Sequence, residues 1–230
     1  MLKRNFYIFC LIVGSLAIAS FSLNSLSNVK VSSTESKSNL TSPTAISIDK
    51  EKGESTAVFA GGCFWGTEAV FEHLKGVSDI VSGYAGGTAK TADYETVSTG
   101  QTEHAESIIV TFDPSQISYE KLLEIYFLVA HDPTQLNRQG PDRGKQYRSA
   151  IFFTNDEQKQ IAESYIDRLN KNKSFSKPIV TQLSPLQNFY PAEDYHQNFI
   201  TRNPDYPYVV VHDLPKLAEL QKQFPEIYKK

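Results

Sequence analysis

Residues 56–60 (TAVFA) form a short β-prone run that ends in Gly61-Gly62. The chain then passes straight into FWGTEAVFEHLK, where Phe64, Thr67, Phe71 and Leu74 recur at helical spacing before Gly76 stops the pattern. Strand, tight turn and helix therefore follow one another with a single residue, Cys63, at the joint. Several unpaired backbone N–H groups converge at such a joint and the helix dipole is positive there, so thiolate is expected to be favoured over thiol. Phe64 and Trp65 add bulky apolar surface beside the sulfur. The competing reading of Cys63 is a small buried core residue, a common fate of free cysteines.

The remaining elements come in mixed order. Residues 77–84 read as a strand running into the turn Gly86-Gly87, residues 94–98 as another short strand, and residues 106–112 (ESIIVTF) as a β-branched strand ending at Asp113-Pro114. Ser118 can cap the helix YEKLLEIYFLVA. Residues 131–146 (HDPTQLNRQGPDRGKQ) carry two prolines, two glycines and no periodicity, which marks a long loop of the kind that usually serves function. Residues 147–154 (YRSAIFFT) read as a strand, and Asn155 with Gln158 three residues later gives a capping box for a helix reaching about Lys171. A last strand is expected at 179–183 and a short helix at 192–200 after Pro191. The tail beyond Asn203 looks irregular, with an edge strand as an option at 208–211. This order favours an α+β two-layer sandwich over a doubly wound parallel sheet.

Composition fits one ordinary domain with a terminal extension: 230 residues, 40% hydrophobic, net charge −3. With 23 Lys and Arg against 26 Asp and Glu and no basic block, no nucleic-acid partner is expected. The only cysteines, Cys10 and Cys63, provide neither a disulfide framework nor a structural zinc site. Lys3 and Arg4 precede an apolar stretch at 6–18, then Ala17-Ile18-Ala19 and Ser20, the layout of a secretory signal over residues 1–19. Export to a periplasm, a lumen or the extracellular space follows. A bilayer span needs about 20 apolar residues, so cleavage is expected, an uncleaved membrane anchor being the alternative. Cys10 leaves with the signal. Fifteen of the twenty-five residues at 20–44 are Ser, Thr or Asn, so residues 20–52 are read as a disordered linker and 53–230 as the folded domain.

Two further sites accompany Cys63. Glu106 opens an apolar strand, where partial desolvation would raise its pKa and suit it to donate a proton; a solvated strand-end charge is the alternative. His104 offers a rival base for Cys63, as in a cysteine hydrolase, or is simply a surface residue. The GPDRGKQYR segment supplies Asp142 and Tyr147 beside glycines that permit close approach to a ligand, or is a plain turn before a strand.

Together these segments resemble the peptide methionine sulfoxide reductase A family, which reduces the S epimer of methionine sulfoxide. The resemblance rests on GGCFWGTE at 61–68, SGYAGG at 82–87, DYETVSTGQTEHAE at 93–106, HDPTQLNRQGPDRGKQYRSAIF at 131–152 and PAEDYHQNF at 191–199, in that order. It implies a ferredoxin-like core, Cys63 as nucleophile, Glu106 as catalytic acid, and Tyr94 and Tyr147 as hydroxyls on the sulfoxide oxygen. It also implies that Asp142 orders the site and that Phe64 and Trp65 wall the substrate methyl group. His131 and His196 lie in matching blocks, with a structural role at least as well suited to each. Thiolate attack would leave methionine as a thioether and Cys63 as a sulfenic acid.

The sequence departs from the pattern at one step. Many members carry recycling cysteines towards the C-terminus, and none follows Cys63 here. The resemblance therefore implies no cofactor but an external thiol such as thioredoxin, glutaredoxin or glutathione, with thioredoxin not obligatory. Oxidised methionine in exported proteins, and the free amino acid, are the expected substrates, and a monomer is expected. The alternatives are a Cys63–His104 hydrolase, and a thiol redox sensor or a methionine sulfoxide binding module without turnover.

Overall fold

The computed structural model describes residues 43–46 and 53–229. The expected signal, and the expected linker apart from residues 43–46, lie outside the described residues. Fourteen elements matter to the site: β1 (Ser55–Ala60), α1 (Phe64–Glu72), β2 (Val77–Ala85), α2 (Tyr94–Ser98), β3 (Ala105–Phe112), α3 (Tyr119–Ile125), β4 (Arg138–Gln139), β5 (Asp142–Arg143), β6 (Ala150–Phe153), α4 (Asp156–Lys171), β7 (Gln182–Pro185), β8 (Phe189–Pro191), α5 (Phe199–Arg202) and α6 (Leu214–Gln223).

Six strands form one sheet in the order β7-β6-β1-β3-β2-β8, antiparallel at every step except the parallel pair β6 and β7. Alternation along β1 explains the layering. Ala57 and Phe59 face a large cluster shared with Phe71 of α1, Leu122 and Leu123 of α3, Ala162 of α4 and Leu220 of α6. Val58 and Ala60 face the other way, onto Ile109, Phe152 and Phe189, with Ile46 packed against them and its N–H donating to Phe189 O at 2.9 Å. The helices thus cover one face of a mainly antiparallel sheet, giving a mixed α/β fold. Phe59 anchors the helical side, stacked on Phe71 at 5.2 Å and on Tyr126 at 5.0 Å. Burying a ring of this size contributes roughly 1.5–3 kcal/mol.

Capping decides most element boundaries. Ser118 accepts from Lys121 N–H and Asn155 from Gln158 N–H, as the sequence predicts. Gln158 does not close a reciprocal box, however. Its carbonyl accepts from Thr154 N–H at 3.0 Å and its amide donates to Thr56 O at 2.6 Å, which ties α4 to β1.

Five expectations are corrected. Tyr94–Ser98 is helix α2, not a strand, because Asp93 accepts from Thr96 N–H at 2.9 Å and caps a turn that Ser98 and Thr99 close with bonds to Glu95 O and Thr96 O. The strand expected at 179–183 begins three residues later, at Gln182. Residues 192–193 are irregular and 194–198 are turns, and the left-handed Asn198 (φ 51°) delays α5 to Phe199. The tail holds no strand at 208–211. Val209–Asp213 is a wide π turn leading into α6, whose first turn contains Pro215. The long loop at 131–146 stands, with the β4–β5 hairpin inside it. Tyr147 ends a 3₁₀ turn rather than opening a strand, since β6 starts at Ala150.

Candidate active site

β1 delivers the chain to Gly61-Gly62-Cys63 beneath the long loop. A Cβ on Gly61 would stand 2.8 Å from the His131 ring, and one on Gly62 would stand 2.6 Å from Gln139 Cγ. The loop that carries Asp142 therefore rests directly on the glycine backbone. Gly62 also has φ +86°, a region in which side chains cost about 1–2 kcal/mol. Gly62→Ala is accordingly expected to destabilise the domain by about 2 kcal/mol, read as a fall in Tm of about 4–8 °C, and to reduce activity by shifting Gln139. An unchanged Tm and rate in thermal and kinetic assays would show that the loop does not need this contact.

Cys63 is half-buried at the N-cap of α1 and makes no side-chain cap bond. The next residue, Phe64, donates its N–H to Glu106 Oε2 at 3.1 Å. Glu106 is 2% exposed and sits on β3 opposite Tyr84 of β2. Burial pushes its carboxyl up to about 8, a rise that the Phe64 N–H reduces and the nearby Asp142 augments. At neutral pH Glu106 is therefore mainly a neutral acid. Burial also raises Tyr147, followed by the charges of Glu106, Cys63 and Asp142 and then by Tyr94, which brings these five groups into one electrostatic neighbourhood. Burial raises Asp142 as well, while the hydroxyl of Tyr208 donates to its carboxylate.

The expected thiolate preference of Cys63 is reversed. Burial lifts the thiol well above its ordinary value, with the carboxylates of Glu106, Asp213 and Asp142 adding to the rise, and only the Trp65 N–H opposes them. The helix start does act in the anticipated sense, but one N–H is outweighed by desolvation and like charge.

An aromatic belt adjoins these groups. Trp65 stacks on Phe199 with centroids 3.7 Å apart, lies edge-on to Tyr206 and Tyr208, and donates its Nε1–H to His196 Nδ1 at 3.1 Å. His196 is buried and pushed down to about 4 by desolvation, so it is neutral, with its proton on Nε2. Phe64 is 1% exposed and packs on His196 at 5.1 Å and Tyr84 at 5.9 Å. Tyr94 lies 4.4 Å from the His196 ring, and its N–H donates to Glu193 Oε1 at 2.8 Å. Glu193 also accepts from the Tyr84 hydroxyl at 2.8 Å, so one carboxylate ties β2 to α2.

His104 does not join this group. It is fully buried, bonds Thr88 O at 3.0 Å, and packs edge-on to Tyr84 and Tyr190. The charges acting on it come from Arg148 and Asp93, not Cys63. His131 is committed to Tyr126 O and Ser149 Oγ. Tyr208 and Asp213 are the site groups that the sequence reading missed. The inward pair Val209 and Asp213, four residues apart ahead of Leu214-Pro215, was the available signal for a helical rather than extended tail. Glu68 was missed too; it is buried on α1, raised to about 7 by desolvation, and accepts from Asn198 N–H at 3.1 Å.

A family profile described as peptide methionine sulfoxide reductase matches residues 55–228. A peptide methionine sulfoxide reductase MsrA 2 from Mesorhizobium japonicum is 61% identical over 176 residues, covering 76% of this chain and 90% of that protein. Another from Synechocystis sp. is 57% identical over 175 residues, covering 76% and 82%. Reduced Mxr1 from Saccharomyces cerevisiae superposes with a TM-score of 0.63 at 33% identity, covering 67% of this chain and 88% of that one. Methionine sulfoxide reductase A of Corynebacterium diphtheriae gives 0.58 at 35% identity, covering 67% and 77%.

Proposed function

The chain belongs to the peptide methionine sulfoxide reductase family and is a peptide-methionine (S)-S-oxide reductase, and on that premise we propose that Cys63 removes the oxygen with Glu106 as the acid. The observation that carries this reading is the bond from Phe64 N–H to Glu106 Oε2, which sets a protonated carboxyl one residue from the thiol. That bond occupies Oε2 and leaves Oε1 to carry the proton.

The substrate oxygen is a poor leaving group until it is protonated. Cys63 Sγ attacks the sulfoxide sulfur while Glu106 protonates the oxygen, with the Tyr94 and Tyr147 hydroxyls stabilising its charge. The S–O bond breaks, and the oxygen leaves as water with the Glu106 proton and the thiol proton, so that Sγ is bonded to a sulfonium. A water then attacks Sγ, methionine departs as the thioether, and the spare proton returns to Glu106. The net result is transfer of one oxygen atom, leaving Cys63 as a sulfenic acid. Trp65 and Phe64 wall the methyl group, and Asp142 with Tyr208 orders the phenols.

No cysteine follows Cys63, so an external thiol completes the cycle. The first thiol condenses with the sulfenic acid to a mixed disulfide and water, and a second releases Cys63 and an oxidised dithiol. Thioredoxin, glutaredoxin and glutathione all meet this chemical need. The central strand order β6-β1-β3-β2 supports reading the core as ferredoxin-like. The charged start and apolar run at residues 1–19 support export, and with it repair of oxidised exported proteins by a monomeric domain at 53–230.

The test is a single-turnover assay without reductant on a peptide carrying one methionine sulfoxide. The S epimer is expected to yield one methionine per enzyme and then stop, and the R epimer none. Continued turnover, or equal rates on both epimers, defeats the reading.

A further inference from the structure

We propose that Asp213 is a positioning residue of the reaction, holding buried negative charge beside the Cys63 sulfur from the C-terminal segment and stabilising the positive charge that develops on the substrate sulfur. The proposal rests on the reading of Cys63 as the nucleophile. Its starting point is the π turn at Val209–Asp213. That wide turn points Val209 and Asp213 inward, at 0% and 1% exposure, while Val210 and Val211 face solvent at 47% and 62%. Asp213 stands at the N-cap of α6, where an aspartate ordinarily accepts from the helix's own N–H groups, yet it makes no cap bond.

Its carboxylate is directed at α1 instead. A Cβ on Gly66 would lie 2.2 Å from Asp213 Oδ1 and 2.6 Å from Lys216 Nζ, so the bare α-carbon one turn beyond Cys63 makes room for the pair. Lys216 Nζ meets Oδ1 at 3.2 Å. The other oxygen, Oδ2, is buried without a hydrogen-bond partner among the described residues. One half of the carboxylate is thus neutralised and the other is left facing a low-dielectric interior, an arrangement that costs stability and calls for a use.

The groups acting on Cys63 come from four elements: Glu106 from β3, Asp142 from β5, Asp213 from the π turn, and the Trp65 N–H from α1. Tyr147 and Tyr208 also feel the Cys63 charge, while His212 and Lys216 act on the two aspartates. Glu106 is neutral over most of the range below about 8. Burial raises Asp213 and Asp142 as well, but the Lys216 ammonium opposes the rise in both and pairs Asp213 directly at 3.2 Å, which makes Asp213 the carboxylate with its own counter-ion. Attack on a protonated sulfoxide turns the substrate sulfur cationic, and fixed negative potential in a desolvated site lowers the energy of that species. The same potential disfavours an ionised Cys63 in the empty site. Removing it should therefore push two observables in opposite directions.

The experiment compares the full chain with Asp213→Asn and the smaller Asp213→Ser. It measures the rate of Cys63 alkylation by iodoacetamide from pH 6 to 10 and the single-turnover rate on the S-sulfoxide peptide. Loss of the charge is expected to speed alkylation at pH 7 by about tenfold, the effect of about one pKa unit, and to slow single-turnover reduction. A structural role alone would lower both rates together, and no role would leave both unchanged; either result overturns the proposal. If Asp213→Asn does not fold, Asp213→Ser carries the comparison. Failure of the unaltered chain to reduce the peptide would instead count against the functional reading on which this proposal rests.

Discussion

Replacing Cys63 by serine is expected to abolish sulfoxide reduction, with a loss of at least about 10⁴-fold in single-turnover rate, the scale on which removal of a nucleophile is felt. The reason is electronic as much as kinetic. Reduction needs two electrons, and in the proposed mechanism Sγ supplies them as it passes from thiol to sulfenic acid. A serine oxygen that attacked the sulfoxide sulfur would form only an alkoxysulfonium, whose hydrolysis returns the sulfoxide. The loss should therefore be complete rather than a slower version of the same reaction. Cys63 is half-buried and caps nothing, so the fold should tolerate the change of one atom and Tm should stay within about 2 °C, as for a contact worth under about 1 kcal/mol. Methionine formed per enzyme, read by mass spectrometry, decides the matter. Product from the serine variant would place the electron source elsewhere in the chain.

The parts of this arrangement that were legible in the sequence are those set by local chemistry. The strand, glycine pair and helix around Cys63 depend on hydrophobic spacing and on a glycine with positive φ. The starts of α3 and α4 depend on Ser118 and Asn155, which are local caps. Where reading failed, a competing local bond or a tertiary contact prevailed. Tyr94–Ser98 has strand-like residue types, but Asp93 and two back-bonding hydroxyls wind it into a helix. The triplet Val209, Val210 and Val211 suggests a strand, yet only Val209 is buried, and the inward partner it finds is Asp213 rather than Val211.

The site divides in the same way. Cys63, Glu106, Asp142 and Tyr147 could be singled out because each sits beside glycines or at a strand end. The sign of the Cys63 shift could not be read, because it is set through space. Asp142 and Asp213 are remote in sequence, and only the loop lying on Gly61-Gly62 and the tail lying on Gly66 bring them to the sulfur. A local rule, thiolate at a helix start, was correct in direction and smaller than the burial and the charges it met. His104 shows the converse. Its sequence proximity to Glu106 suggested a base, whereas the fold bonds its ring to Thr88 O, and the charges that act on it are those of Arg148 and Asp93.

Glu106→Gln carries the second large effect, an expected loss of about 10²–10⁴ in single-turnover rate at neutral pH, the usual contribution of a positioned acid. Glutamine keeps an oxygen for the Phe64 N–H but has no proton to give, so the variant removes acid catalysis and little else. Because burial raises Glu106 to about 8, the gap between wild type and variant should be widest below that pH and close above it. There the wild-type acid has itself lost its proton, while Cys63, lifted higher still, moves towards thiolate and helps both. Stability supplies an independent check. The native state retains a Glu106 proton that the unfolded chain releases near 4.5, so this group's stabilising contribution is full below 4.5 and is lost as pH rises through about 8. Glutamine should erase that slope, leaving the variant more resistant than wild type at pH 9 relative to pH 5. Rate profiles and melting curves over the same pH range test both statements. A variant rate within a few-fold of wild type throughout would take Glu106 out of the chemistry. A stability slope that persists in the variant would assign the titration to a different buried carboxyl, Glu68 being the first to examine.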